Sequence, residues 1–185
     1  NDPDRIADFS RSNDDMASLV STVQDNADAI FTWRYDKGER ASLDRLYEKA
    51  KTSQWNGQTD LDWSIEVDPY AVLAPANPEE VAYFADNPES PLHKLNDDEW
   101  AEVGVESMNW SLSQFMHGEQ GALLCTAKIV ETVPWIDAKY YAATQVVDEA
   151  RHVEVFAQYL EQKLGGIKYP VNSHLGALLD DILED

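Results

Sequence analysis

The chain has 185 residues, 43% of them hydrophobic, which is enough for one domain with a buried core, so we expect residues 1–185 to form a single helical domain. Its formal charge of −21 excludes nucleic acid and anionic membranes as partners, because phosphate binding depends on clustered Lys and Arg. The single cysteine, Cys125, excludes an internal disulfide, and no apolar run approaches the roughly 20 residues of a membrane span.

The first residues, from Asn1 to Asp4, resemble neither a signal peptide nor a transit peptide, and we expect a soluble, cytoplasmic protein. The simpler interpretation of the acidic surface is that it maintains solubility. The alternative is that it attracts a basic partner such as an electron-donor protein.

Apolar periodicity predicts two helices in the first third of the chain. Apolar residues recur at steps of three and four from Met16 to Phe31, and Asn13 precedes them as a plausible N-cap. The same spacing predicts a second helix from about Ser42 to Gln54.

Residues 55–76 contain prolines and aspartates and show little periodicity. We therefore expect an irregular but ordered connector, anchored by Trp55 and Trp63. A short helix is predicted to follow, because Asn77 can cap it and Pro78 suits its first position.

The second half of the chain predicts a helical hairpin. A long helix begins near Asn96 and meets no strong breaker until Pro134, and its partner extends from about Asp137 to Gly165. Because only a few residues separate the two helices, we expect them to pack antiparallel. A last amphipathic helix is predicted from Leu175 to Leu183.

Metal-ligating residue types occur on both helices of this hairpin. Glu149 and His152 are three residues apart, a spacing that places both side chains on one face of a helix. Glu119 precedes them by about 30 residues on the adjacent helix, within an otherwise apolar stripe. One Glu from one helix and Glu-x-x-His from the next are half of the dimetal carboxylate site of four-helix bundles.

Glu-x-x-His alone is frequent on exposed helix surfaces, so the motif by itself is weak, and Glu119 is what strengthens it. His117 lies two residues before Glu119, about 200° around the helix, and should point elsewhere. His93 and His174 fall outside the stripe and are weaker candidates.

Gly118-Glu119-Gln120, followed by Gln145-x-x-Asp148-Glu149-x-Arg151-His152, resembles the ferritin-like di-iron oxidases and oxygenases. This group includes the ribonucleotide reductase small subunit, bacterial multicomponent monooxygenases, acyl carrier protein desaturases and p-aminobenzoate-type N-oxygenases. The resemblance extends over roughly Ser42 to Gly165. It implies an all-α, ferritin-like bundle, of which this chain supplies the N-terminal half, with one Glu helix and one ExxH helix.

The resemblance also implies roles for the motif residues. Glu149 would bridge two irons, Glu119 would be a terminal ligand, and His152 would supply nitrogen to the same iron. Manganese is an alternative metal. Three further residues would lie behind these ligands and orient them, namely Gln145, Asp148 and Arg151. Phe156 stands where the reductase small subunit has its radical tyrosine, which argues against a reductase.

These expectations describe an enzyme that activates O2 with two irons to oxidise a small or lipophilic organic substrate, with electrons from a reductase or ferredoxin. The family has a second Glu and a second Glu-x-x-His further along, and this sequence stops before either could appear. We expect them downstream in a longer polypeptide, in a separate chain, or in a second copy that forms a homodimer. Two other functions remain open, namely ferritin- or rubrerythrin-like handling of iron or peroxide, and a helical interaction subunit without a metal.

Overall fold

The computed structural model describes residues 23, 27–73, 77–166 and 168–184, and this part of the chain is helical and contains no strand. The all-α class predicted from the sequence is therefore confirmed for the described residues. Within these residues, six helices follow in chain order: α1 (Ala41–Ser53), α2 (Pro69–Leu73), α3 (Pro78–Ala85), α4 (Asp97–Thr132), α5 (Ile136–Lys163) and α6 (Ser173–Glu184).

The longest helix, α4, begins where the sequence predicts. The Asn96 side chain accepts a hydrogen bond from the Glu99 amide at 3.0 Å, and the Glu99 carboxylate accepts one from the Asn96 amide at 2.8 Å. This reciprocal pair satisfies two amides that a helix start leaves without partners. The 36 residues of α4 extend about 54 Å at 1.5 Å per residue, and the helix ends just before Pro134.

Helices α4 and α5 form an antiparallel hairpin that makes up most of the core. Near the link, the Lys139 amine donates to the Val130 carbonyl at 2.7 Å, and further away the rings of Phe115 and Phe156 stack at 6.2 Å. Contacting residue numbers fall on α4 as they rise on α5, as an antiparallel pair requires. Buried apolar side chains of the core are Trp100, Val105, Ala142, Leu160 and Leu164.

The segment before α1 is tied to the start of α5. Asp137 is 1% exposed and accepts hydrogen bonds from the amides of Gly38 and Arg40. Tyr47 of α1 then stacks on Tyr140 of α5, with 5.3 Å between ring centroids. These contacts hold α1 along the hairpin.

The described part of the predicted connector, residues 55–73, contains helix α2, which the sequence analysis missed. Asp68 accepts hydrogen bonds from the amides of Tyr70 and Ala71, and Pro69 occupies the first helical position. Both are ordinary helix-start signals, and the low periodicity of the surrounding residues hid them. Residues 74–76 lie outside the described part.

The helix predicted from Met16 to Phe31 is wrong where it can be compared, because residues 27–31 are not helical. Phe31 and Trp33, two residues apart in this non-helical segment, instead stack with 5.6 Å between their ring centroids. Asn13 and the rest of that prediction lie outside the described residues.

Helix α6 packs across α4. A Cβ atom on Gly121 would lie 2.2 Å from a Leu179 methyl group, so the two helices approach at a position where only glycine fits. Within the described part of the chain, no helix is both long enough and apolar enough to cross a membrane.

Candidate metal centre

Glu119, Glu149 and His152 come together on one side of the hairpin, with one ligand atom from each lying within 4.8 Å of the others. His152 Nδ1 is 3.0 Å from Glu149 Oε2 and 3.1 Å from Glu119 Oε2. Both carboxylates therefore face the same nitrogen. We call these three residues the Glu-Glu-His cluster.

Helix geometry explains this arrangement. The i, i+3 spacing brings Glu149 and His152 onto one face of α5. Glu119 reaches the same point from α4, because the hairpin turns close to Trp135 and Glu119 and His152 are nearly equally distant from that turn. Neither helix alone could supply all three groups.

The cluster is partly shielded from water, since the Glu149 side chain is 18% exposed and that of Glu119 is 27% exposed. Burial raises the pKa of Glu149, and the hydrogen bond and negative charge of Glu119 raise it further, while His152 acts in the opposite direction. Two carboxylates at this separation repel each other unless a proton or a cation lies between them.

Two carboxylate oxygens and one imidazole nitrogen form a donor set that suits iron, manganese or zinc. The donors converge with open space on one side, since the His152 side chain is 39% exposed. The cluster can therefore hold a divalent metal and leave positions for further ligands. The donor set alone does not distinguish among these metals.

Arg151 faces away from the cluster, into the packing between α5 and the connector. Its side chain donates to the Gln54 side chain and to the Trp55 carbonyl, each at 2.8 Å, and lies over the Trp55 ring at 4.7 Å. It also pairs with Asp148 one turn earlier on α5. Arg151 thus fastens the connector to the helix that carries two of the three cluster residues.

The residues predicted to orient the ligands contact none of them directly in the described structure. Asp148 is hydrogen-bonded to Arg151 and makes no bond with the His152 ring. Gln145 lies one turn before Glu149, and its side chain makes no hydrogen bond with any described residue. Any effect of Asp148 on the cluster must therefore pass through Arg151 and the position of α5.

The remaining histidines lie away from the cluster. His117 Nε2 is 2.8 Å from the Tyr169 carbonyl oxygen, so this side chain leaves α4 in another direction, as its spacing from Glu119 predicts. His93 and His174 are not part of any cluster of possible metal ligands among the described residues.

A polar contact that the sequence analysis missed fixes the segment after α5 onto α4. The Tyr169 hydroxyl donates to Glu106, and its amide donates to Ser113 Oγ at 2.9 Å. Burial, followed by the bond to Glu106, raises the pKa of Tyr169 to about 12. No sequence signal could have found this contact, because Tyr169 belongs to no periodic element.

Neither a protein-family model, nor a curated protein, nor a solved structure matches the chain.

Proposed function

We propose that the Glu-Glu-His cluster binds iron, and that the chain is part of a ferritin-like di-iron oxidoreductase that uses O2 to oxidise an organic substrate. The observation that supports this proposal is the convergence of Glu119, Glu149 and His152 from two antiparallel helices. A Glu on one helix and Glu-x-x-His on the next are the ligand pattern of half a di-iron carboxylate site.

The cluster fits a metal better than it fits a structural ion pair. A structural role would need one positive partner for one carboxylate, whereas here two part-buried carboxylates share a single imidazole. Burial and then the neighbouring Glu119 raise the pKa of Glu149, and a divalent cation between the two carboxylates would neutralise their repulsion. In the described structure, each of these carboxylates forms its ion pair with His152.

Each residue then has a specific task. Glu119, Glu149 and the Nδ1 atom of His152 would together hold the first metal, and Glu149 would be the ligand shared with the second. The second metal needs further ligands, which must come from outside this cluster. They would be supplied by additional polypeptide, by another chain or by a second copy. Reduced iron bound there would supply electrons for the activation of O2, and a reductase or ferredoxin would replace them.

The neighbouring side chains control what reaches the cluster. Phe115 lies one turn before Glu119, and Phe156 lies one turn after His152, and their rings are stacked. This stacked pair lies at one end of the cluster and leaves the opposite face for incoming ligands. The Asp148–Arg151 pair holds α5 against the connector, which fixes the direction in which Glu149 and His152 point.

The proposal predicts that Glu149→Ala and His152→Ala each reduce iron binding at least 100-fold, because each substitution removes a direct ligand. Iron bound per chain would be measured by mass spectrometry after anaerobic Fe(II) loading and desalting, and circular dichroism would check helix content. Neither substitution removes a buried packing group, so helix content should stay at the wild-type level.

His117→Ala is the matched control, since it removes an imidazole from the same hairpin that does not face the cluster. We expect its iron content to equal that of the wild type. Full iron content in either ligand variant would show that the site assignment is wrong. Iron loss in the control alone would point to a different site.

A further inference from the structure

A cavity of about 360 Å³ lies between the connector and the hairpin. Phe156 and Tyr159, which line it, are four and seven residues beyond His152 and therefore lie on the same side of α5 as the cluster. Met108 and Leu112 of α4 form another wall, and Val67 of the connector covers part of the opening.

The lining of this cavity is chemically uniform. The Tyr159 hydroxyl is the only oxygen or nitrogen that a lining side chain contributes, and none of these side chains is charged. An ionised ligand would lose its hydration here without gaining a counter-charge, which is a costly exchange. The 35 acidic residues of the chain further disfavour an anion.

The cavity also adjoins the Glu-Glu-His cluster. Phe156 belongs to both, because it lines the cavity and its ring stacks on Phe115, one turn from Glu119. Phe156 therefore connects the cavity wall to the part of the hairpin that carries the cluster. A molecule in the cavity would lie against Phe156, one turn of α5 beyond His152.

The volume limits the size of the ligand. An engineered apolar cavity of about 150 Å³ accommodates benzene, which has six non-hydrogen atoms. At the same cavity volume per ligand atom, 360 Å³ accommodates about 14 non-hydrogen atoms. A two-ring aromatic molecule or a medium-length hydrocarbon chain falls within this limit.

We propose that this cavity is the substrate pocket of the enzyme, and that it takes a neutral, largely apolar organic molecule of about 10 to 14 non-hydrogen atoms. Its role as a substrate pocket rests on the oxidoreductase function proposed above. The exclusion of carboxylates rests only on the lining and can be tested without metal.

The first test compares two ligands of the same shape and different charge, 2-naphthol and naphthalene-2-carboxylate. Titration calorimetry at pH 7.5 would measure both on the purified chain, before and after anaerobic addition of Fe(II). We expect one 2-naphthol site per chain and at least tenfold weaker binding of the carboxylate. Equal binding of the two ligands, or no binding of 2-naphthol, would overturn the proposal.

The second test places the ligand in the cavity. Leu112→Trp and Met108→Trp each add a bulky ring to the cavity wall and should weaken 2-naphthol binding at least tenfold. Leu124→Trp puts the same ring at an exposed position on the same helix and should leave binding unchanged. A correctly folded Leu112 or Met108 variant with wild-type affinity would locate the ligand elsewhere and contradict the proposal.

Iron content measured on the same samples separates the two proposals. Iron binding without 2-naphthol binding would overturn the pocket proposal and leave the metal-site proposal standing. Binding of 2-naphthol by a chain that takes up no iron would show an apolar ligand site. It would overturn the proposal that this site is the substrate pocket of an iron-dependent oxidoreductase.

Discussion

Glu149 is the side chain around which the candidate metal centre is arranged, since it contacts His152 along α5 and meets Glu119 across the hairpin. Residue spacing was sufficient to predict this meeting. Three residues separate Glu149 from His152, and the short link near Trp135 sets which part of α4 faces them. The identity of the metal was not predictable in this way, because iron, manganese and zinc accept the same donor atoms.

The surroundings of Arg151 show where residue-level reasoning from sequence ends. Its partners Gln54 and Trp55 are almost 100 positions earlier in the chain, in a connector without a repeating pattern. Periodicity can place a side chain on a face of a helix, but it cannot say which distant loop packs against that face. Asp148, which the resemblance predicts to orient the ligands, is hydrogen-bonded to Arg151.

We predict that Asp148→Asn weakens iron binding about 10- to 100-fold without abolishing it, as is usual for a residue that supports ligands indirectly. The substitution removes the negative partner of the mostly buried Arg151 guanidinium, so α5 and the connector should pack less firmly. Iron affinity would be measured by competition with a chelator, alongside the melting temperature. Glu161→Gln is the control, because it neutralises an exposed carboxylate on the same helix. Wild-type iron affinity and melting temperature for Asp148→Asn would show that the pair has no supporting role.

At the scale of elements, the connector is as important as the helices, because it covers the cavity and is bound to α5. Trp63 Nε1 donates to the Gly57 carbonyl at 2.6 Å, and the Lys163 amine donates to the Trp63 carbonyl at 2.6 Å. The sequence analysis predicted neither helix α2 nor the cavity. Asp68 and Pro69 signal α2 locally, whereas the cavity depends on how closely the connector approaches the hairpin.

We predict that Gly57→Ala destabilises the fold by about 1 to 3 kcal/mol, the usual cost of forcing an extra methyl group into a packed site. Its Cβ would lie 2.7 Å from Val155 Cγ2, and the branched Val155 side chain has little freedom to move aside. Urea denaturation would measure the change. Gly176→Ala is the matched control, because no atom lies within 4 Å of its added Cβ, and there the substitution should stabilise α6 by up to about 1 kcal/mol. Equal stability of Gly57→Ala and the wild type would mean that the connector does not pack as described.

At the scale of the whole molecule, the cluster has an exposed side and the chain carries a strong negative charge. Phe115 is 60% exposed beside the cluster, so an apolar ring and three candidate metal ligands share an exposed surface. The simpler role of the charge of −21 is solubility, and under the proposed function it would also favour a basic electron donor through long-range attraction. The all-helical class was predictable from periodicity, whereas the assembly around the cluster was not, because the spacing within one chain carries no information about its partners.

Anomalous diffraction tests the metal assignment most directly. Crystals of the chain loaded with Fe(II) under argon would be measured just above and just below the iron absorption edge. We predict one strong iron peak bound by His152 Nδ1 and by carboxylate oxygens of Glu119 and Glu149. A second iron should appear on the far side of Glu149 only where another set of ligands covers the cluster. A cluster without an iron peak, or iron bound at His117 or His174 instead, would contradict the account.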